Sequence, residues 1–541
     1  MTSYFLGIDC STQSLTGIII DNESLSIQTK ISINYDRDLP HYQTQNGIYI
    51  SEDGKQVYSN PLMWVEALDT VFTKFQEKSF PLDKIKAISG SAQQHGTVYL
   101  NKNFLKNLNN LQPGSLLVSQ LKNIFSRDLS PVWMDSSTSK QCKEIREALG
   151  GLKSTIKLTG SNTCERFSGP QIRKFYQEDP QKYQNTAYIH LISSFLSSLL
   201  LGDNSPIDHG DGAGMNLMDI EKKRWNDNAI DATAPNLKQK LPNLSESFKV
   251  LGNISPYFVE RYDFSSETRL LPWSGDNPNS LIGVGLINPH QAAISLGTSD
   301  TYFSYMEKLT LDLSGASHVF GAPTGDYMGL ICFKNGSLAR EAIKTQFNLT
   351  WNEFSNILKQ TSPGNNGGIM LPYFYPEIVP LVLEPRVYRF GFDANDIQAN
   401  VRGIIEAQCL SIYLHSQWLK STPSEIVVTG GGSENREILQ VFADVFNTPI
   451  KVLKVSDSAA LGAALRCAKA YQQYIGNGIK WSDLIASCDA LQSFENIFPS
   501  ANTKQLYDDM RQVYQDYENF VLNNGDNPEI IRKKFKQKYF E

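Results

Sequence analysis

Apolar positions along the chain alternate between short strand-like runs and longer stretches with helical spacing. Residues 4–35 consist of apolar runs rich in β-branched side chains, broken at Asp21-Asn22-Glu23, and this pattern predicts a hairpin or meander. Pro61 to Lys78 carries apolar residues at helical spacing behind a proline, which predicts an amphipathic helix. Strands that alternate with helices are typical of an α/β protein.

The next apolar run leads into a polar segment. Ile85–Gly90 is short and apolar, so we expect a buried strand that carries Ser91-Ala-Gln-Gln-His-Gly96 at its carboxyl end. In open α/β sheets that end of a strand is where ligands bind. Val132–Asp135 predicts another strand, followed by a helix from Ser139 to Leu149.

The second half of the sequence repeats the pattern of its beginning. Ala293–Phe303 has the same order as Tyr4–Ile20: an apolar strand, a small turn with threonine and serine, and a second apolar strand. A turn of small residues exposes N–H groups and hydroxyls that can surround a phosphate. One such turn in each half predicts a duplicated nucleotide-binding fold with ATP between the halves.

A glycine-rich turn follows a long helical pattern at Ala399–Leu419 and a strand at Ile426. One glycine would satisfy a strand-to-helix turn with positive φ, whereas the three glycines of Gly430-Gly-Gly-Ser433 favour close approach of the backbone to a nucleotide. Arg436–Asp444 then resumes a helical pattern. Residues 455–466 predict a helix cap and a helix of small residues able to pack closely on another element.

Two carboxylates stand at strand ends. Asp9, beside Ser11 and Thr12, is placed to hold Mg²⁺ directly or through water, and its alternative interpretation is an aspartate that caps its own turn. Asp276 follows Gly275 in a stiff turn, as a general base for a sugar hydroxyl requires. A helix-capping aspartate is the alternative there.

Other polar residues carry weaker signals. Gln94 and His95 could hydrogen-bond a polyol, although a lone histidine is more often structural. Arg166 could equally form a surface ion pair. The remaining histidines show no metal-binding spacing and are given no role: His41, His190, His209, His290, His318 and His415.

Composition excludes several classes of protein. The 541 residues suffice for two large domains, since single cores stop growing near ~250–300 residues. A net charge of −6 and a pI near 5.8 give no reason to expect a nucleic acid or an anionic membrane as partner. Residues 190–201 are too short and serine-rich to cross a bilayer, which takes ~20 apolar residues, so a buried helix is expected.

The seven scattered cysteines indicate neither a disulfide framework nor a zinc site and are typical of a reducing cytosol. The first residues lead directly into a strand without the pattern of a secretory signal. We therefore expect a cytoplasmic protein, either a monomer or a homodimer.

Several motifs together resemble the FGGY family of carbohydrate kinases, in its longer animal and plant type, over nearly the whole chain. The most specific are Ser91–Gly96, Ser205-Pro-Ile-Asp-His-Gly-Asp-Gly-Ala-Gly-Met-Asn216, Gly275–Pro278, Ser295-Leu-Gly-Thr-Ser-Asp-Thr301, Cys332-Phe-Lys-Asn-Gly-Ser-Leu338 and Gly430–Leu439. One position departs from the family, whose first turn is usually Asp-x-Gly-Thr. Here it is Asp9-Cys-Ser-Thr12, and Ser11 puts a side chain where the usual glycine has none.

The resemblance implies two actin-like, ribonuclease-H-like domains with a cleft between them. An N-terminal domain (1–288) would bind sugar and supply the base, and a C-terminal domain (289–541) would bind the nucleotide. Residues that match the family's sites are Asp276 as base; Gln94, His95, Arg166, Asp276 and Asn277 for the sugar; and Thr12, Thr298, Trp351, Gly430, Gly431 and Asn435 for ATP.

The activity implied is transfer of the γ-phosphoryl of MgATP to the 5-hydroxyl of D-xylulose. A kinase for ribulose, gluconate or glycerol is an alternative, because the sugar-facing residues are the hardest to interpret. An actin- or chaperone-like ATPase is another, although it would need no acceptor-site base such as Asp276. The dependence of ATP turnover on an added pentulose separates these classes.

Overall fold

The computed structural model describes residues 2–453, 457–492 and 494–541. These residues form two compact units. Unit 1 comprises residues 2–287, Glu307–Met328 and Asp457–Gln492, and unit 2 comprises Asn288–Met306, 329–453 and 494–541. Two stretches from the second half of the sequence therefore belong to the first unit.

The strands of the described residues are β1 Tyr4–Cys10, β2 Ser14–Asp21, β3 Ile27–Asn34, β4 Tyr49–Ile50, β5 Val57–Ser59, β6 Ile85–Ala92, β7 Thr97–Asn101, β8 Ser130–Pro131, β9 Thr186–Leu191, β10 Ile207–Asp208, β11 Met218–Asp219, β12 Arg224–Trp225, β13 Leu244–Ser245, β14 Gly252–Asn253, β15 Arg269–Leu270, β16 Ser274–Gly275, β17 Gln291–Leu296, β18 Asp300–Met306, β19 His318–Gly321, β20 Tyr327–Phe333, β21 Ile369–Pro372, β22 Val387–Phe390, β23 Glu425–Thr429, β24 Ile450–Leu453 and β25 Phe494–Ile497.

The α-helices are α1 Tyr35–Asp38, α2 Pro61–Glu77, α3 Asn103–Leu108, α4 Leu117–Gln120, α5 Ser139–Ala148, α6 Leu152–Thr159, α7 Ser168–Glu178, α8 Pro180–Asn185, α9 Ile192–Leu201, α10 His209–Ala213, α11 Asp227–Thr233, α12 Pro256–Tyr262, α13 Asp276–Gly283, α14 Ser337–Gln346, α15 Trp351–Gln360, α16 Ile397–Ser416, α17 Arg436–Phe446, α18 Ser458–Tyr474, α19 Trp481–Ala486, α20 Lys504–Asn523 and α21 Glu529–Phe540.

The main sheet of unit 1 has the order β14-β15-β6-β1-β2-β3, with β16 also paired to β6. Strands β1, β2 and β3 form the predicted antiparallel meander, and β6 runs parallel to β1. Asp9 pairs with Ser91, and Ser91 pairs with Ser274 of β16. Three strand ends therefore meet at one edge of the sheet.

The sheet of unit 2 repeats this plan. Strands β17 and β18 form the predicted second hairpin, β23 runs parallel to β17, and β24 runs parallel to β23. The duplication predicted from the two hairpins is confirmed at the level of strand direction. Both halves also place a strand-to-helix turn at the carboxyl end of the parallel neighbour, β6 in one unit and β23 in the other.

Glycines allow helix α18 to pack tightly inside unit 1, as its small residues predict. A Cβ on Gly462 would lie 1.9 Å from Asn279 O, and a Cβ on Gly283 would lie 1.8 Å from Ser458 O. Arg466 of α18 is fully buried and donates to Asn279 Oδ1 at 2.8 Å. This seam fixes helix α13, which begins at Asp276. Residues 455 and 456 of the predicted cap lie outside the described residues.

The strand predicted at Val132–Asp135 is wrong. Strand β8 ends at Pro131, and the next residues form a turn in which Asp135 N donates to Val132 O at 2.9 Å. The Asp135 carboxylate accepts from Val57 N at 3.0 Å, which folds the chain back before it can extend. Trp133 remains 40% exposed as a result.

The other predicted elements agree within a few residues: α2, α5, α9, α16, α17, β6 and β23. All seven cysteines are free. Among the helices that the structure describes, none has the length and apolar character that crossing a membrane demands.

Candidate active site

Asp276 is the first residue of helix α13 and directly follows β16. The N–H and the side-chain Nδ2 of Asn277 both donate to Asp276 Oδ1, at 2.9 and 3.1 Å. Burial raises the pKa of Asp276 to about 7, and the nearby negative charge of Asp9 raises it further, against the effect of these N–H donors. A carboxylate with a pKa near neutrality is suited to accept a proton at physiological pH.

Gln94 ties this helix start to the end of β6. Its Oε1 accepts from Asn277 Nδ2 at 2.8 Å. Its side chain lies directly on Gly275, where a Cβ would stand 2.3 Å from Gln94 Cγ. Gln94 is buried, and its Nε2 has no hydrogen-bond partner in the described part of the chain.

Asp9 lies across from Ser91 at the end of β1. Ser11 Oγ donates to Asp9 Oδ2, while Oδ1 is buried with no hydrogen-bond partner in the described chain. Burial raises the pKa of Asp9 and the Ser11 hydroxyl lowers it. The serine that replaces the family's usual glycine is therefore bonded to the carboxylate.

The threonine of the first turn is held by two side chains. Trp133 Nε1 donates to Thr12 Oγ1 at 2.9 Å, and Thr12 Oγ1 donates to Gln93 Oε1 at 3.4 Å. Trp133 was not singled out from the sequence, because its segment was read as a strand. The turn that replaces that strand is what brings the indole to Thr12.

His95 sits just beyond β6 with a φ of +71°, which is unusual for a residue with a side chain. Its Nδ1 donates to Gly214 O at 2.9 Å, which leaves Nε2 as the acceptor nitrogen. Phe167 stacks on the ring at a centroid distance of 4.3 Å. Burial, and next the positive charge of Arg166, hold the pKa of His95 well below its usual value, so the ring is neutral.

Asp211 is a buried acid that sequence reasoning did not assign. It lies in α10, inside the Ser205–Asn216 segment, and its Oδ2 accepts from Ser193 Oγ at 2.5 Å. Burial raises the pKa of Asp211 well above its usual value, and the negative charges of Asp208 and Asp276 act in the same direction. The segment carried the family resemblance, but no spacing marked this particular acid.

The second phosphate turn is fixed from beneath in unit 2. Asp300, at the end of the turn, forms a buried two-pronged ion pair with Arg340, with N–O distances of 2.7 and 2.9 Å. Ser337 N donates to Gly297 O at 3.0 Å and joins the turn to the start of α14. Thr298, at the tip of the turn, is exposed.

The glycines after β23 differ in what surrounds them. Gly430 has a φ of +86°, and a Cβ there would lie 2.6 Å from Leu296 O, so its glycine is structurally required. A Cβ on Gly431 would meet no protein atom within 4 Å. Asn435 caps α17 through Oδ1 and donates from Nδ2 to Ser355 Oγ at 2.7 Å.

These elements enclose a cavity of about 730 Å³ within unit 2, a size typical of small-ligand sites. Trp351 lies on its edge, with Lys344 Nζ 4.9 Å from the centre of its ring. The cavity thus unites the predicted Thr298, Trp351, Gly431 and Asn435. Sequence reasoning missed other lining residues: Ser337, Glu341, Asn352, Ser355 and Ile438.

Carboxylate and thiolate clusters able to hold a metal by themselves are absent from residues 2–453, 457–492 and 494–541. Asp9 nevertheless fits Mg²⁺, because the ion takes few carboxylates and completes its shell with water and phosphate oxygens. The unpartnered Oδ1 of Asp9 is the atom suited to it.

Comparison with known proteins agrees with this geometry. Residues 128–283 match the N-terminal domain, and residues 292–471 the C-terminal domain, of the FGGY family of carbohydrate kinases. The chain is 39% identical over 534 residues to "Xylulose kinase" of Rattus norvegicus, covering 97% of this chain and 98% of that protein.

It is also 42% identical over 488 residues to "Xylulose kinase 2" of Arabidopsis thaliana, covering 86% of this chain and 87% of that protein. A crystal structure described as a "xyloylose kinase from Brucella ovis" has a TM-score of 0.81 at 19% identity and covers 96% of this chain and all of its own. Its likeness shows the two-domain α/β fold. The chain belongs to the FGGY family of carbohydrate kinases.

Proposed function

We propose that this kinase transfers the γ-phosphoryl group of ATP to the 5-hydroxyl of D-xylulose and releases D-xylulose 5-phosphate and ADP. The observation that carries the proposal is Asp276, a carboxylate with a pKa of about 7 at the head of a helix, among polar side chains suited to a sugar. The choice of D-xylulose is supported by the names of relatives 39% and 42% identical to this chain.

Asp276 accepts the proton of the attacking hydroxyl. Because both donors of Asn277 bind Oδ1, the proposal assigns Oδ2 as the oxygen that receives this proton. Phosphoryl transfer has a loose, charge-rich transition state, so the rest of the protein acts mainly by alignment and electrostatic stabilisation. Gln94 and Asn277, which bind each other, hold the acceptor beside the base.

His95 and Arg166 complete the proposed sugar site. The neutral His95 ring offers Nε2 as an acceptor for a sugar hydroxyl, since Nδ1 is fixed on Gly214. Arg166 is near enough to lower the pKa of His95 and supplies the positive charge of the pocket. Hydrogen bonds from fixed, buried groups are what allow a site to select a polyhydroxylated ligand.

The nucleotide is assigned to the cavity of unit 2. Trp351 and Gly431 border the space for adenosine, while Asn435 shapes it from the helix cap. Thr298 and Thr12 belong to the two phosphate turns. Asp9 would hold Mg²⁺, which in kinases neutralises developing charge on the phosphates.

A reducing compartment such as the cytosol is part of the proposal. It is supported by the seven free cysteines. Burial raises the pKa values of Cys10, Cys409 and Cys467, so their thiols are inert rather than redox-active.

The test is an ADP-release assay with D-xylulose, ribulose, gluconate, glycerol and no acceptor, each with and without Mg²⁺. We expect turnover to depend on D-xylulose and on Mg²⁺, and product analysis to show phosphate on the 5-hydroxyl. Equal ATP hydrolysis without any acceptor would identify an ATPase and overturn the proposal. Faster turnover of another polyol would keep the kinase chemistry and correct the acceptor.

A further inference from the structure

The strand β19 belongs to unit 1, although the residues before and after its segment Glu307–Met328 belong to unit 2. Val319 N donates to Gly160 O at 3.2 Å, and His318 forms a bridge with Ser161. These backbone contacts fix β19 against the loop that follows α6. The position of the His318 side chain is therefore set by unit 1 alone.

The end of β19 borders the pocket of Asp276. A Cβ on Gly321 would lie 2.8 Å from His209 O of α10. A Cβ on the next residue, Gly210, would lie 3.0 Å from Gly321 O and 2.8 Å from Ser274 Oγ. Ser274 stands two residues before Asp276, so β19, α10 and the start of α13 are in mutual contact.

Four rings join β19 to the proposed sugar site. Phe167 stacks on His95 at 4.3 Å and contacts His318 at 5.1 Å between ring centroids. Phe320 stacks on His318 at 5.9 Å. The two imidazoles thus lie in contact with the same phenyl ring, on segments that are more than 200 residues apart in sequence.

The polar atoms of the two histidines are in different situations. His95 Nδ1 bonds to Gly214, whereas the buried His318 Nδ1 has no hydrogen-bond partner among the residues that the structure describes. Burial, followed by the charge of Arg166, lowers the pKa of His318 to about 3. The ring is neutral, and an unpartnered buried polar atom beside a ligand pocket indicates a hydrogen bond made to the ligand.

We propose that His318 is a sugar-binding residue that acts beside His95 on the acceptor's other hydroxyls. The inference rests on the proposed function, which assigns the phosphorylated hydroxyl to Asp276 and leaves the rest of the sugar chain to other groups. A neutral imidazole can donate from one nitrogen and accept at the other, as a hydroxyl requires. The ligand class is a small open-chain polyol or ketose.

The test compares His318→Phe, which keeps a ring and removes both nitrogens, with His318→Asn, which keeps polar atoms. For His318→Phe we expect the KM for the sugar to rise about 10-fold, the scale of one lost hydrogen bond. The KM for ATP should change less than about twofold and kcat less than about threefold, as for an interaction made equally in ground and transition states. The asparagine variant should recover part of the sugar affinity.

Deoxy analogues make the assignment specific. D-Xylulose analogues lacking the 1-, 3- or 4-hydroxyl are measured with the wild type and with both variants. We expect one analogue to bind the wild type weakly, yet to lose nothing further in His318→Phe, because the hydroxyl and its partner form one interaction. The asparagine variant and this series carry the test if the phenylalanine variant is poorly folded.

The matched control is His190→Asn, which changes another buried neutral histidine of unit 1 that lies outside the four rings. It should lower the melting temperature and leave the sugar KM unchanged. An unchanged sugar KM in both His318 variants, or equal losses for every analogue in every enzyme, would overturn the inference. If D-xylulose is not the acceptor of the wild type, the proposed function fails by itself, and the same comparison is run with the acceptor found in the panel.

Discussion

Asp276 combines a raised pKa with a fixed orientation at the start of α13, and these two properties can be separated by mutation. Asp276→Asn keeps the size of the side chain and an oxygen for the two donors of Asn277. We expect turnover to fall ~10²–10⁴-fold, the usual contribution of a positioned proton acceptor. ADP release measures turnover, and calorimetry should show sugar affinity largely retained.

Asp227→Asn is a matched control, since Asp227 is also the first residue of a helix in unit 1, α11. It should leave turnover unchanged. Because the raised pKa means that folding disfavours the charged carboxylate, Asp276→Asn should melt no lower than the wild type at pH 8. Near-normal turnover in pure Asp276→Asn would show that another group is the base.

The pKa of Asp276 also predicts a pH profile. The base works only when ionised, and its pKa is raised to about 7, so activity is lost as the pH falls through that value. We expect kcat/KM for the sugar to fall about tenfold per pH unit below the apparent pKa. The residual rate of Asp276→Asn should lack this limb, and a flat wild-type profile from pH 8 to pH 5.5 would contradict the assignment.

The turn between β23 and α17 offers a contrast between neighbouring glycines. In Gly431→Val the side chain meets no protein atom near its Cβ, so the fold should remain intact while the cavity of unit 2 narrows. We expect a raised KM for ATP with little change for the sugar. Gly430→Ala should instead lower the melting temperature, because its Cβ would press on Leu296 O. A raised sugar KM with normal ATP kinetics in Gly431→Val would place the nucleotide elsewhere.

Local pattern predicted most elements and few of the side-chain partners. The two hairpins, α2 and β23 carry their signals within a few residues, so they could be read from the sequence. Val132–Asp135 was misread because its partner donor, Val57 N, is more than 70 residues away. His318 and Asp211 escaped notice for the same reason: their neighbours, Phe167 and Ser193, come from distant segments.

The whole molecule assigns one substrate to each unit under the proposed function. Any binding energy that depends on both units must then appear as coupling between sugar and nucleotide. We expect D-xylulose to tighten binding of a non-hydrolysable ATP analogue, and the analogue to tighten D-xylulose by the same factor, with a coupling of ~1–3 kcal/mol.

Calorimetric titration of each ligand with and without the other, in the presence of Mg²⁺, measures this coupling. Asp276→Asn can serve as the non-reacting form of the enzyme, so that ATP itself can be used. Scattering in solution should report a smaller radius when both ligands are bound. Equal affinities in all titrations and an unchanged radius would mean that the units respond independently.

The seam between α13 and α18 has a consequence for biosynthesis. A chain emerging from the ribosome folds its N-terminal part first, but Gly462 and Arg466, which lock the helix of Asp276, are translated after more than four-fifths of the protein. Until then the face of β1 at Gly7, which α18 covers, stays open to chaperones. The first unit therefore matures only after most of the second has been synthesised, and a fragment cut near residue 288 lacks the helix that completes it.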